Sequence, residues 1–340
     1  KKGRLWIGTR DGGLNYFDRE KKIFSCYQDH TAGDGSEFFN RIEAITEDAA
    51  GIFWVATDNG GLATFNPEKK IFTHRFLHDS KKNLNTIADN SVSSLSFDAK
   101  GTLWIGTKYG GLDCFDVREN KFFNHRFNDY DEQSLSNDKV YCIYQDTEGN
   151  IWIGTEAGGV SVYFPGSARF RHYHMDGTNE EFFKSNSVFA ILEDREGLLW
   201  AGTQFGGITT INRKNQSYGN ISGNNSLSNS RSNSVLSLFE DNEGSIYCGT
   251  WGAGLNVLDK QTKKVTRLIE SGAITCIAQG KDNIIWVGVY GGNKGVFAYS
   301  KITGALVNYT INDGLSSNDI YCIYEDNNKN VWIGTSGGGL

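Results

Sequence analysis

Six cysteines, six histidines and a recurring Glu-Asp pair are the residues of this 340-residue chain whose types could do chemistry. Zinc chemistry needs clustered thiolates, usually in C-x-x-C pairs, and Cys26, Cys114, Cys142, Cys248, Cys276 and Cys322 form none. Cys142, Cys276 and Cys322 occupy equivalent places in similar strings, too far apart in a repeating fold to be bridged. All six read as small buried hydrophobes, although an even count leaves disulfides open in an exported protein. The histidines are His30, His74, His78, His125, His172 and His174; His172-x-His174 has chelating spacing, but no third ligand lies near it. Pairs such as Glu47-Asp48, Glu193-Asp194 and Glu240-Asp241 resemble catalytic carboxylates, yet their recurrence at a fixed place points to turn chemistry. The sequence has no G-x-S-x-G elbow and no kinase motif, and Gly291-Gly292-Asn293-Lys294-Gly295 lacks the spacing of a phosphate-binding loop. The residues therefore predict no catalysis, no metal and no cofactor.

What positions these residues is a repeat. LWIGTRDGGLNYFD at 5–18 returns as FWVATDNGGLATFN at 53–66, LWIGTKYGGLDCFD at 103–116, IWIGTEAGGVSVYF at 151–164 and LWAGTQFGGITTIN at 199–212. Looser copies stand at 246–259 and 285–299, and VWIGTSGGGL ends the chain at 331–340. The marker aromatics Trp6, Trp54, Trp104, Trp152, Trp200, Tyr247, Trp286 and Trp332 define seven periods of roughly 47 residues, the length of a four-stranded propeller blade. Each period reads as four short strands: an apolar run ending in Glu-Asp or a similar pair, the LWIGT stretch, the GLxxF stretch and a more polar aromatic stretch. No segment sustains a helical apolar period. The composition agrees, with 41 Gly, 2 Pro and 13% aromatics, as expected of tight turns between aromatic-rich strands. The fold class is all-β: one seven-bladed β-propeller of four-stranded antiparallel blades over residues 1–340.

The turns have physical reasons. Between the first and second strands runs Asp-x-x-Gly, as at Asp48 to Gly51 and Asp146 to Gly149, where the Asp side chain bonds backbone two residues on and Gly takes a positive φ. Between the second and third runs Thr-x-x-Gly-Gly, and the Trp of each second strand is expected to pack between blades. Seven first strands and eight second strands imply that N-terminal strands complete the last blade, with one second strand in surplus. A chain that starts and stops mid-repeat, with no leader before Lys1, reads as a mature protein or a piece of a longer array.

The string I-x-E-D-x-x-G-x-L-W-I-G-T-x-x-G-G-L-x-x-F-D, well represented at 143–164 and 191–212, resembles the repeat of the two-component-regulator propeller family. The resemblance covers essentially the whole chain. It implies the periplasmic sensor region of an inner-membrane hybrid histidine kinase of the Bacteroidetes type. It also implies a second propeller and a following β-domain in the parent chain, and oligosaccharides from complex glycans as the ligand. The blade at 273–299 departs from the pattern, with Gln279-Gly280-Lys281-Asp282-Asn283 at its first turn and Val289 in place of Thr.

The family repeat fixes no ligand residues, so the candidates come from variation within the repeat. Loops vary where strands hold position. The two residues after each Thr supply Arg10, Asp58, Lys108, Tyr109, Glu156, Gln204, Phe205 and Trp251, with Tyr290 in the divergent blade. Their mixture of aromatic faces, cations and amides suits acidic or neutral sugars. A second ring, Asn40, Asn90, Asp138, Asn186, Asn233 and Asn318 with Gly272, precedes the first strands; shared tolerance of left-handed backbone gives it a structural reading. A net charge of −6 argues against nucleic acid, and no apolar run approaches the roughly 18 residues of a membrane span, so no membrane contact is expected of this segment. An interaction scaffold, including a homodimer, and a propeller lyase or glycosidase are the rival readings.

Overall fold

The computed structural model describes residues 5–9, 13–18, 23–27, 41–79, 85–174, 185–213, 217–221, 234–260, 264–270, 272–280, 282–325 and 331–335. It divides into two compact units, residues 1–174 with 186–188, and residues 175–185 with 189–340. In the first unit, Leu5–Thr9, Gly13–Asp18 and Ile23–Tyr27 form a three-stranded sheet. It is followed by four-stranded antiparallel blades at 42–76, 92–125 and 140–173. The second unit carries the blade of the strand Val188–Glu193, apart from Val188 itself, the blades opening with Val235–Glu240 and Ala273–Gln279, then the pair Ile320–Glu325 and Val331–Thr335. The chain is thus an all-β propeller chain with seven first strands. Among the described residues the helical content is a single 3-10 turn, Ile311–Asp313.

Five blades are locked at the first turn by one aspartate, Asp48, Asp98, Asp146, Asp194 or Asp241. Asp146 accepts the Glu148 and Asn150 backbone N–H groups on Oδ1, at 3.0 and 2.8 Å, and the Trp152 indole N–H on Oδ2 at 2.8 Å. Asp48, Asp98 and Asp194 bind Trp54, Trp104 and Trp200 in the same way. The turn role expected of Asp-x-x-Gly is present, with Gly149 at φ 86°, and the aspartate also orients the marker Trp. The preceding residue reaches the neighbouring blade instead: Gln145, Glu240 and Gln279 accept the backbone N–H of Ala99, Arg195 and Asn242. At Glu240-Asp241 the paired acids therefore hold structure on both sides.

The apolar cores lie between consecutive blades. Trp54 packs on Phe97 and Phe115 of the next blade, and Trp104 on Tyr163, inside clusters that join neighbouring sheets. The second unit repeats this with Trp200, Val235 and Ile246, and with Tyr247, Ile274 and Ile285. The glycine of W-x-Gly-Thr permits the approach. A Cβ on Gly106 would lie 2.6 Å from Val140 Cγ1, one on Gly154 2.7 Å from the Val188 carbonyl oxygen, and one on Gly249 2.7 Å from Ile274 Cγ2. In the second unit Lys260 adds ion pairs to Asp194 and Glu240, both at 2.8 Å, across adjacent blades. Burial works against the Asp194 charge, but the Lys260 and Trp200 hydrogen bonds outweigh it and hold the carboxyl below its ordinary range.

The divergent blade shows what the aspartate does by lacking it. Gly280 stands at the Asp place and keeps the backbone bond, its N–H donating to the Ile284 carbonyl at 2.8 Å. Asn283 takes the left-handed position at φ 58°. Trp286 Nε1, buried, finds no acceptor among the described residues.

Two stability outcomes follow from these contacts. Gly154→Val should destabilise the chain by at least about 3 kcal/mol in chemical denaturation, because the added side chain meets backbone as well as Cys142. Gly280→Asp should raise stability by about 1 kcal/mol by giving Trp286 its acceptor. An unchanged melting temperature in a Gly280→Asp, Trp286→Phe pair, together with a rise in Gly280→Asp alone, would assign the gain to that bond.

Candidate functional site

The loops after each second strand are built on a fixed frame. The Thr hydroxyl donates to the carbonyl of the second Gly: Thr57 to Gly61 at 2.8 Å, Thr107 to Gly111 at 2.8 Å, Thr155 to Gly159 at 3.0 Å, Thr203 to Gly207 at 2.9 Å and Thr250 to Gly254 at 3.0 Å. The first variable residue donates its backbone N–H to the residue entering its own first strand, as Asp58 does to Arg41, Lys108 to Ser91, Glu156 to Lys139 and Trp251 to Ser234, each at 2.9 Å. With the backbone tied at both ends, the side chains carry the variation.

In the first unit the charged candidates find each other. Lys108 Nζ lies 2.8 Å from Asp58 and 3.3 Å from Glu43, and Arg41 lies 3.3 Å from Asp58. Burial opposes the Lys108 charge, yet the Asp58 hydrogen bond and the Glu43 carboxylate raise its pKa above the ordinary lysine value. Glu156 accepts from Lys139 Nζ at 2.9 Å and from the Tyr141 hydroxyl at 2.8 Å, and the Lys139 hydrogen bond holds its carboxyl below the usual range. Tyr109 stands 68% exposed, its carbonyl accepting from Arg126 at 2.9 Å. Arg10 lies outside the described residues.

In the second unit the candidates are aromatic. Phe205 is 50% exposed and Trp251 46% exposed. Both loops close on one residue: the Phe205 N–H donates to Ser234 Oγ at 3.1 Å and the Trp251 N–H to the Ser234 carbonyl at 2.9 Å. Phe205 also sits at φ 62°, in the left-handed region that the same loop position gives to Asn59 and Ala157 in other blades. For a bulky side chain that conformation costs on the order of 1–2 kcal/mol. Tyr290 packs on Tyr321 with ring centroids 5.3 Å apart, while Gln204 is partly exposed beside Phe205.

Several side chains near these loops escape a reading of the repeat alone. Glu43, Tyr141 and Tyr321 each occupy a β-bulge one residue after the apolar residue that enters the first strand. A signal was present, since this position changes from blade to blade through Glu43, Ser93, Tyr141, Phe189, Leu236, Thr275 and Tyr321. The second ring is structural, for a reason other than left-handed backbone. Asn90, Asp138, Asn186 and Asn318 are not among the positive-φ residues; Gly272 is, at φ 118°. Their carbonyls accept the N–H of Gly61, Gly111, Gly159 and Gly295, and the side chains of Asn90, Asp138 and Asn318 cap His78, Phe127 and Ile311 at 2.8, 2.7 and 2.8 Å. Asn40 and Asn233 lie outside the described residues.

The remaining chemistry-bearing residues are engaged elsewhere. Both ring nitrogens of His172 are within bonding distance of protein atoms, Ser161 Oγ and the Glu132 carbonyl, each at 3.1 Å. Burial pushes the Cys114, Cys142 and Cys248 thiols up to about 12, which makes them poor nucleophiles. No group of three His, Cys, Asp or Glu side chains suited to a metal occurs among the described residues. Behind the 107–111 loop, Asp113 accepts the Ala88 N–H at 2.8 Å and Asn124 Nδ2 at 3.1 Å, while Asn124 Nδ2 lies 3.0 Å from the Gly110 carbonyl.

Compared with known proteins, the chain matches the family described as two component regulator propeller at residues 86–109, 134–157, 183–205 and 314–337. Among solved structures it resembles the extracellular domain of a hybrid two component system from B. thetaiotaomicron, with a TM-score of 0.72 and 25% identity over 88% of this chain and 39% of that one. A one component system extracellular domain from the same organism follows, with a TM-score of 0.56 and 22% identity over 99% of this chain and 50% of that one. The chain thus spans 39% to 50% of these extracellular domains. Virginiamycin B lyase from Staphylococcus aureus shares the fold, with a TM-score of 0.61 at 13% identity over 88% of this chain and 92% of that one. No curated protein matches the sequence significantly.

The Asp113 carboxyl gives the loop frame a pH dependence. Burial raises its pKa to about 7, against the lowering effect of the Ala88 N–H, Asn124, His78 and Arg126. The unfolded carboxyl titrates near 4, so between roughly pH 4 and 7 the folded chain holds a proton that the unfolded chain has lost. This contribution to stability therefore falls as pH rises through that window and is level above it. Asp113→Asn should remove the slope: its melting temperature relative to the parent should be higher at pH 8 than at pH 5. An equal difference at both values would mean that Asp113 titrates normally.

Proposed function

We propose that this chain, built of two component regulator propeller repeats, is the extracytoplasmic ligand-sensing propeller of a hybrid two component sensor, and that its loop face takes oligosaccharides released from complex glycans. The observation that carries the reading is the 25% identity, at a TM-score of 0.72, with a hybrid two component system extracellular domain. Residues 1–340 then form one propeller of a longer sensor region. The parent chain supplies a second propeller, a β-domain and a membrane-anchored histidine kinase, and the sensor region lies in the periplasm. Ligand binding would shift a conformational equilibrium of the parent through different affinities for its two states. The loop geometry supports a binding role: the frame is fixed by repeated hydrogen bonds, and side-chain identity is free to differ in each blade.

The enzyme reading has less support, because the lyase likeness is one of fold at 13% identity and the candidate carboxylates are held in turns and ion pairs. A contact surface has one specific observation in its favour. The outer strand Leu306–Tyr309 is exposed at all four residues, with Leu306 and Val307 among them. Four other outer strands carry charge, as Arg169–Tyr173 does, and an uncharged, exposed edge invites pairing with another chain.

Thermal unfolding against a panel of purified oligosaccharides tests the sensor reading. A ligand present at 100 times its Kd should stabilise the chain by about 2.7 kcal/mol. A panel without any shift, accompanied by concentration-dependent self-association in sedimentation, would favour the contact surface.

A further inference from the structure

We infer that the ligand is a neutral oligosaccharide, and that it stacks on Phe205 and Trp251, the two aromatic side chains whose loops close on Ser234. This rests on the oligosaccharide reading above and narrows it.

Three observations carry the inference. The first is the cost of Phe205. At the same loop position two other blades use Asn59 and Ala157, a residue type that tolerates left-handed backbone and a small one. A phenylalanine there works against folding, and half of its surface faces solvent rather than a core. A strained, exposed aromatic has its use outside the fold.

The second is placement. Phe205 and Trp251 come from adjacent blades, and their backbone amides bond to the side chain and the carbonyl of the same buried serine. Two aromatic groups held from one anchor form a platform for consecutive sugar rings, whose apolar C–H faces stack on aromatic faces. Gln204, next to Phe205, offers an amide that both donates to and accepts from hydroxyls.

The third is charge. In this unit the described loop residues 204–206, 251–253 and 290–294 include a single cation, Lys294. In the other unit the loop cation Lys108 is bonded to Asp58 and Glu43, and Lys139 to Glu156. A uronate or sulfate would have to compete with carboxylates already in place, whereas a neutral sugar leaves every one of these pairs intact.

The test is calorimetry on this chain with two panels, each of three to six sugar units. The neutral panel holds cello-, manno-, xylo- and arabino-oligosaccharides; the acidic panel holds oligogalacturonides and sulfated glycosaminoglycan fragments. A neutral member should bind with an affinity that changes less than about twofold between 50 and 500 mM salt. Phe205→Gly and Trp251→Ala should each weaken it at least about tenfold, and Phe205→Gly should at the same time raise the melting temperature by relieving the backbone. A merely structural Phe205 would not couple a gain in stability to a loss of binding. Binding from the acidic panel, steeply weakened by salt and lost in Lys108→Ala, would overturn the neutral assignment and leave the sensor reading standing. Undiminished affinity in Phe205→Gly and Trp251→Ala would overturn the platform. Failure of both panels would remove the oligosaccharide reading itself, and this inference with it.

Discussion

Neighbouring blades can approach as they do because one position in the second strand is a glycine in five of the described blades and the small Ala56 in another. Gly106, Gly154, Gly202, Gly249 and Gly288 receive Val140, Val188, Val235, Ile274 and Ile320 of the following first strand. The space is also bounded from within the blade, by Ser94, Cys142, Ser237 and Cys276. This explains the cysteines better than any redox role: at Cys142 and Cys276 the thiol fills a place that a serine hydroxyl fills elsewhere. The marker aromatic two residues earlier in the chain is then pressed into the adjacent core, and its indole N–H is satisfied by the turn aspartate. Close approach, buried aromatic and anchored turn depend on one another, which is why the same short string returns in nearly every blade.

The same rigidity separates folding from recognition. Thr and Gly hold five of the loops by the same bonds whatever lies between them, so folding places few demands on the two intervening residues. The first unit uses that freedom for opposite charges that neutralise one another across blades. In the second unit the corresponding positions carry hydrophobic surface into solvent, at Phe205 in a conformation its side chain disfavours. Physical cost without internal benefit distinguishes the two cases more sharply than residue type does.

Much of the scaffold was legible in the sequence because it repeats. The four-strand period, the Asp-x-x-Gly turn and the buried Trp all follow from local chemistry seen many times over. The partnership of Asp146 with Trp152 was harder to foresee, since a six-residue separation says nothing of how an indole points. The loop positions were legible and the state of their side chains was not. Lys108 reads as a free cation in the sequence, and only folding brings it to Asp58, 50 residues earlier in the chain. Glu43, Tyr141 and Tyr321 escaped notice because strand periodicity assigns alternate residues to alternate faces, and a bulge breaks that count. The left-handed backbone of Phe205 could not be inferred from a repeat in which Tyr109, at the same loop place, is not left-handed.

Those bulges also bear on how such a chain diversifies. A substitution inside a regular ladder disturbs partners on both sides, so most strand positions are closed to change. The bulged residue stands outside the ladder count, and six first strands carry one at this place, although Ser93 and Thr275 use theirs to bond the next blade. A propeller of this kind thus carries, alongside its loops, a set of semi-independent addresses that can be rewritten one at a time. Where the bulged residue makes no bond to the next blade, new specificities can accumulate by single steps without compensating changes in the packing between blades.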